Sequence, residues 1–323
     1  MSADAGSVAA PSAAAPARGR DRLWLVILAA ALWGTDGLLR VPLVSDLEPA
    51  TIVFAEHGII CVLILPWLGG ALRAFVAAPR RVQLAILGIG IGASAVATTL
   101  FTAAFALGDP VTPLVLQKLQ PVIAIAGAAL LLGERITTRF PLFLVPTLLG
   151  AWLLSFPDPL GIALSQVQSA LLAVGAAVLW AAGTVLGRYA ATAMATQHVT
   201  MLRFFFGLFA SLAIVLILGA PLLPAPADVP GLVLLALIPG LLALLLYYRG
   251  LAGTAASRAT LGELAFPLTA AFIGVTLLDG ALDSSQWLGF VLLLAAVTLL
   301  ALHERRARTP AVIAPPLQPA ASG

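Results

Sequence analysis

The sequence predicts an all-α integral membrane protein of ten transmembrane helices, arranged as two inverted five-helix repeats with both termini cytosolic. Three observations predict it. Apolar runs of membrane-spanning length recur along the chain, arginines collect at alternate ends of those runs, and the first half of the sequence returns in the second at a constant offset.

The runs rest on an apolar excess. Apolar residues make up 61% of the chain and charged residues 10%, against about 25% charged in a soluble domain, and the mean hydropathy is +1.07. A soluble fold cannot bury that excess, because its surface outruns the few polar side chains available to cover it. The lipid bilayer is therefore the solvent for this chain. A span takes about 20 mostly apolar residues, and the predicted spans are 23–43, 50–68, 82–107, 111–132, 138–156, 169–190, 198–219, 229–252, 257–278 and 285–303. The tightest joins are Asp109-Pro110 and Gly253-Thr254. Residues 1–21 and 305–323, rich in Ala and Pro, are predicted as disordered cytosolic tails. Between them lie a first repeat at 22–156, an outer linker at 157–168 and a second repeat at 169–304. The first apolar run is as long as a span, which argues against a cleaved signal peptide.

Orientation follows from the basic residues. With the N-terminus inside, the inner loops, tails and helix ends collect Arg18, Arg20, Arg22, Arg73, Arg80, Arg81, Arg135, Arg139, Arg188, Arg249, Arg258, Arg305, Arg306 and Arg308. The outer side holds Arg40 together with Asp46, Glu48, Asp109, Asp158, Asp228, Asp279 and Asp283. A wrong helix count would scramble this partition.

The repeat is internal evidence of architecture. Leu32-Trp33 returns 147 residues later as Leu179-Trp180, and Pro121 returns 146 residues later as Pro267. Phe101-Thr102 matches Tyr247-Tyr248, and Leu131-Leu132 matches Leu277-Leu278, both again at 146. Five spans per repeat is an odd number, so the second copy enters the membrane upside down. Inverted repeats are typical of secondary transporters, whose substrate site lies near the midplane at the repeat interface.

At this point the chain resembles the drug/metabolite transporter superfamily, in particular its ten-helix EamA-type branch. The resemblance is carried by Leu32-Trp33-Gly34-Thr35, Leu119-Gln120-Pro121-Val122 and Leu131-Leu132-Gly133-Glu134-Arg135-Ile136-Thr137 in the first half. Trp180-Ala181, Leu202-Arg203-Phe204, Phe266-Pro267 and Gln286-Trp287-Leu288-Gly289 carry it in the second. It covers roughly residues 23–155 and 169–302. It implies two inverted five-helix bundles around a central cavity, with metabolite efflux as the usual activity, and a bacterial inner (plasma) membrane as the location. The chain departs from the family pattern in the second helix, where Glu56-His57 stands in place of the usual arginine. It departs again where the Gly-Glu pair of the first repeat becomes Asp279-Gly280.

Ionisable residues within spans cost about 2.5–3.5 kcal/mol each on insertion scales, so their presence needs a reason. Asp36, Glu56, His57, Lys118, Arg203 and Glu263 fall within predicted spans, and Lys118 is the only lysine in the chain. When the repeats are overlaid, Glu56 falls on Arg203 and Gln117-Lys118 on Glu263-Leu264. Each repeat thus carries opposite charges on its second and fourth helices, with the signs exchanged. This leads us to expect Glu56 opposite Lys118 on the outer side and Arg203 opposite Glu263 on the inner side. Such pairs either lock helices together or grip a charged or zwitterionic substrate, with the carboxylates as candidate carriers of a coupling proton. Arg203 also lies near enough to the cytosolic end to snorkel.

Other candidate substrate-binding residues flank these charges. Trp33, Asp36 and Arg40 share a face of the first helix, so Asp36 either lines a cavity or pairs with Arg40. Gln117 and Gln120 share a face just before Pro121. Proline at 121 and at 267 frees a carbonyl one turn back and kinks the helix, beside residue 117 and beside Glu263. Trp33 and Trp180 lie deep in their spans, whereas Trp24, Trp67, Trp152 and Trp287 are expected at the membrane interfaces. Tyr247 and Tyr248 divide between cavity and interface, and His57 is either a cavity residue or a structural one.

The same inventory excludes other classes. Three histidines and the single Cys61 supply no metal cluster and no disulfide, and no HExxH, GxSxG or Walker A motif is present. Basic residues do not interleave with aromatics as nucleic-acid binding would require. Rings of like charge suited to a channel are absent. The expectation is a non-enzymatic, cofactor-free transporter that exports a small amino acid-like or amphipathic metabolite by alternating access, with a proton as a candidate coupling ion. The alternative is an importer or facilitator of a small solute. The sequence specifies no oligomeric state.

Overall fold

The computed structural model describes residues 22–107, 111–120, 122–123, 126, 140–156, 158, 160, 163–251, 262–278 and 280–308. Among them every regular element is helical, as a chain in hydrocarbon requires, since each helix satisfies its own backbone groups. Helix α1 runs Leu23–Gly34, breaks at Thr35 and resumes as Asp36–Asp46. Helix α2 is Pro49–Ala77. Helix α3 passes from Arg80–Gly88 through a π turn at Ile89–Val96 into Ala97–Phe105. Helix α4 is described over Val111–Leu116 and the 3-10 turn Gln117–Leu119, and α5 is Phe140–Ser155. The second half holds α6 (Leu164–Ala190) and α7 (Thr196–Leu218). Helix α8 follows as Val229–Leu235, a π turn at Ala236–Leu242, and Ala243–Leu251. Last come α9 (Ala265–Leu277) and α10 (Ser284–Arg308).

Six of these helices (α1, α2, α3, α6, α7, α8) are long and apolar enough to cross a membrane, and α5, α9 and α10 carry shorter apolar stretches. Local chemistry sets their ends and breaks. Pro49 opens α2, where a missing N–H goes unnoticed, and Gly219 closes α7 at φ 66°, a left-handed conformation natural to glycine. The π turn in α8 contains Pro239, which has no N–H to continue an α-helical ladder. The π turn in α3 lies at the matching place, 147 residues earlier, in a run of small residues. Hydroxyls along the spans bond back to carbonyls four residues earlier, as Thr99 does to Ala95 at 2.9 Å and Thr147 to Phe143 at 2.7 Å.

The packing has the pattern of a pseudo-twofold. Helix α1 packs on α8 and α9 of the other half, and its counterpart α6 packs on α3 and α4. Helix α2 packs on its own counterpart α7, and α5 on α10. The α5–α10 crossing is a backbone contact: a Cβ on Gly150 would lie 2.7 Å from Leu293 N, and one on Gly289 2.6 Å from Leu154 N. The glycine of the Leu32-Trp33-Gly34-Thr35 motif does the same for α1 and α9, because a Cβ there would lie 2.7 Å from the Phe266 carbonyl oxygen. Trp24, Trp67, Trp152 and Trp287 face outward among a broad apolar surface, while Trp33 and Trp180 are half-buried inside. Such a surface has no place in water.

Candidate functional site

Among the described residues, two clusters of polar and aromatic side chains lie inside the bundle. In the first, Arg40 of α1 is buried and donates from Nε and Nη2 to the two carboxylate oxygens of Asp36, one turn back, at 2.6 and 2.8 Å. Its Nη1 donates to Thr102 Oγ1 of α3 at 2.8 Å. The guanidinium also reaches Glu56 Oε2 of α2 at 3.4 and 3.5 Å. One planar fork thus ties α1, α2 and α3 together, a task for which arginine's five fixed donors suit it.

A chain of hydrogen bonds continues along α2. His57 donates from Nδ1 to the Val53 carbonyl at 2.8 Å, which leaves Nε2 to accept from the Ser94 hydroxyl at 2.9 Å. Arg203 of α7 donates to Ser94 Oγ at 3.4 Å and to the Ala93 carbonyl at 3.3 Å. It therefore points into the π turn of α3 instead of snorkelling. The symmetry is close: Glu56 lies against Gly240 in the π turn of α8, 147 residues after Ala93, as Arg203 is 147 after Glu56.

The second cluster is aromatic. Trp33 and Tyr247 meet with ring centroids 4.9 Å apart, and Trp180 meets Phe101 at 5.1 Å. Tyr247 donates its hydroxyl to Glu263 Oε1 at 2.5 Å. The Lys118 ammonium sits over the Phe266 ring at 4.4 Å and within electrostatic reach of Glu263. Phe101, which lies 5.7 Å from the Arg40 guanidinium carbon, joins this cluster to the first. Trp33, Lys118, Trp180, Tyr247 and Glu263 all keep part of their surface open although they sit within the bundle. Gln117 and Gln120 are also half-buried, and their side chains make no hydrogen bond among the described residues.

The charge pairing differs from the expectation. Glu56 is bridged by Arg40, not by Lys118, and Glu263 faces Lys118 and Tyr247. Glu56 and Arg203 feel each other's charge across the α2–α7 contact. The reason is the pseudo-twofold: equivalent positions meet at its axis, so second-helix charges face each other and fourth-helix charges do likewise. Asp36 takes the Arg40-pairing alternative of its two readings. Around Pro267 the chain is not simply kinked. Glu263 and Leu264 form a turn and α9 starts at Ala265, while the matching 3-10 turn at Gln117–Leu119 precedes Pro121. Pro121, Arg135, Asp279, the Asp109-Pro110 and Gly253-Thr254 joins and the Tyr248 side chain lie outside the described residues.

Sequence reading missed Thr102, Ser94, Phe101 and Phe266 as members, and it placed Arg40 at the outer side of the membrane. A usable signal existed for Phe101, which aligns with Tyr247 across the repeats. None existed for Ser94, whose role depends on the π turn that aims it.

Comparison with known proteins agrees with this architecture. The model of the EamA-like transporter family matches twice, at residues 22–156 and 168–302. Among curated proteins, the riboflavin transporter ImpX of Fusobacterium nucleatum is 28% identical over 288 residues, covering 84% of this chain and 95% of that protein. The uncharacterized transporter YwfM of Bacillus subtilis is 24% identical over 288 residues, covering 88% and 95%. A solved crystal structure superposes with a TM-score of 0.56 at 20% identity, over 89% of this chain and 99% of that one, which speaks for a shared fold. The two family matches fall on the two halves whose helices interlock about the pseudo-twofold, and the chain belongs to the EamA-like transporter family.

Proposed function

We propose that the protein is a secondary transporter of ten spans with both termini cytosolic, exporting a small amphipathic metabolite by alternating access. One observation carries the reading. Trp33, Trp180 and Tyr247 gather with Lys118 and Glu263 where each repeat's first helix inserts into the other repeat. Ring faces beside one cation and one carboxylate complement a cargo with a planar apolar part and a zwitterionic or polar part. Gln117 and Gln120 add amides that can orient it. Rocking of one repeat against the other would expose this interface to each side in turn.

The riboflavin transporter among the relatives favours a second, narrower reading, in which the cargo is a planar heteroaromatic compound. Both are tested by profiling the medium and contents of cells expressing wild type or Lys118→Met at matched membrane abundance, with riboflavin followed as a named probe. A metabolite that leaves wild-type cells and stays in the variant's supports export and places Lys118 at the site. A metabolite that accumulates inside only with wild type reverses the direction. Identical profiles across a broad panel would count against the site.

A further inference from the structure

Among the described residues, the carboxylates of Asp36, Glu56 and Glu263 inside the bundle are held very differently. Asp36 receives two short charge-assisted bonds from Arg40, at 2.6 and 2.8 Å. Glu263 receives the Tyr247 hydroxyl at 2.5 Å and faces Lys118. Glu56 receives only the 3.4 and 3.5 Å contacts from Arg40, both on Oε2. At those distances a hydrogen bond is weak. Its other oxygen, Oε1, has no donor among the described residues, and the side chain is nine-tenths buried. An ionised carboxylate left this way pays most of its desolvation penalty uncompensated.

Oε1 lies toward the π turn of α8, where a Cβ on Gly240 would lie 3.8 Å from it. The charged and titratable groups facing Glu56 are Asp36 and Arg40 from α1, Arg203 from α7 and its neighbour His57 on α2. Helix α3 contributes Thr102 through Arg40, and α8 contributes the uncharged Gly240. The second repeat has no copy of this latch. Gly183 and Gly187 stand 147 residues after Asp36 and Arg40, and a side chain at Gly183 would collide with Ala93. Where the first repeat carries an ion pair, the second carries two glycines.

We propose that Glu56 is the proton-binding group of the transport cycle: a proton from water converts its carboxylate to the acid, removes its charge attraction to Arg40, and so releases α1 from α2. This rests on the transporter reading and names its coupling site. Neutral Glu56 loses its attraction to the guanidinium, while Arg40 keeps Asp36 and Thr102, so only the α1–α2 link opens.

The test is pH-difference infrared spectroscopy on the purified full-length protein in lipid nanodiscs, with no cargo present. We expect one buried carboxylic acid C=O band to appear on acidification. It should vanish in Glu56→Gln, survive in Glu263→Gln and Asp36→Asn, and shift in frequency in Glu56→Asp, which serves if the glutamine variant does not fold. A band that persists in Glu56→Gln, or is lost in Glu263→Gln instead, overturns the assignment, as does the absence of any titrating band in wild type. Hydrogen exchange reads the latch: residues 36–46 should exchange faster in acid in wild type, after correction for intrinsic rates, and at both pH values in Glu56→Gln. Acid-insensitive exchange in wild type would sink the release step. Because neither readout involves cargo, a negative result here leaves the transport reading standing, and a failed metabolite profile leaves the band unexplained but present.

Discussion

At the scale of the residue, the energetics centre on Arg40. It is 2% exposed and faces two carboxylates, so its removal would strand Asp36 and Glu56 as buried like charges. Breaking a buried ion pair from one side costs about 3–5 kcal/mol. Arg40→Gln is therefore expected to lower the thermal midpoint of the purified protein strongly. Adding Asp36→Asn and Glu56→Gln should recover most of the loss, because the stranded charges go with the guanidinium. A triple variant no more stable than the single one would mean that packing of the arginine stem, not its charge, holds the three helices. A polar chain runs from Arg203 through Ser94 to His57, and Gly207 leaves the His57 ring room: a Cβ there would lie 2.7 Å from the ring.

At the scale of the element, glycines set how closely helices cross, and irregular turns set where side chains point. The α5–α10 crossing depends on Gly150 and Gly289, whose backbones meet with no room for a side chain. Overpacking a tight site costs about 1–3 kcal/mol, and more where backbone must move. Gly289→Leu should accordingly reduce the yield of monodisperse protein and lower its thermal midpoint. Leu288→Ala next to it, on the exposed side, should change either by much less. Equal losses would remove the crossing as the cause. The paired π turns explain why helical periodicity does not give the direction of side chains in α3 and α8. A π turn advances the chain at a different angle per residue, so a 3.6-residue reading of α3 or α8 misplaces every side chain beyond it, Thr102 and Tyr247 included.

At the scale of the whole molecule, the proposed topology puts the outer linker and both tails on opposite sides of the membrane. In a Cys61→Ser background, Asp158→Cys should react with an impermeant maleimide in intact cells. Arg73→Cys should react only after the membrane is opened. Labelling of position 73 in intact cells would invert the orientation.

Much of this was legible in the sequence because membranes impose a blunt grammar. Apolar length locates spans, arginine placement orients them, and a constant offset of 146–147 residues announces the repeat. The sequence likewise singled out Trp33, Asp36, Glu56, Lys118, Arg203, Tyr247 and Glu263 as polar or aromatic groups that hydrocarbon would not tolerate without cause. Their partners were decided only in three dimensions. Overlaying the repeats paired Glu56 with Lys118 inside one bundle, whereas the folded chain pairs Glu56 with Arg40 and sets Lys118 toward Glu263 across the interface. One-dimensional symmetry shows which residues are equivalent. Which of them touch depends on where the twofold axis passes and on two π turns, and both arise from how one repeat packs into the other.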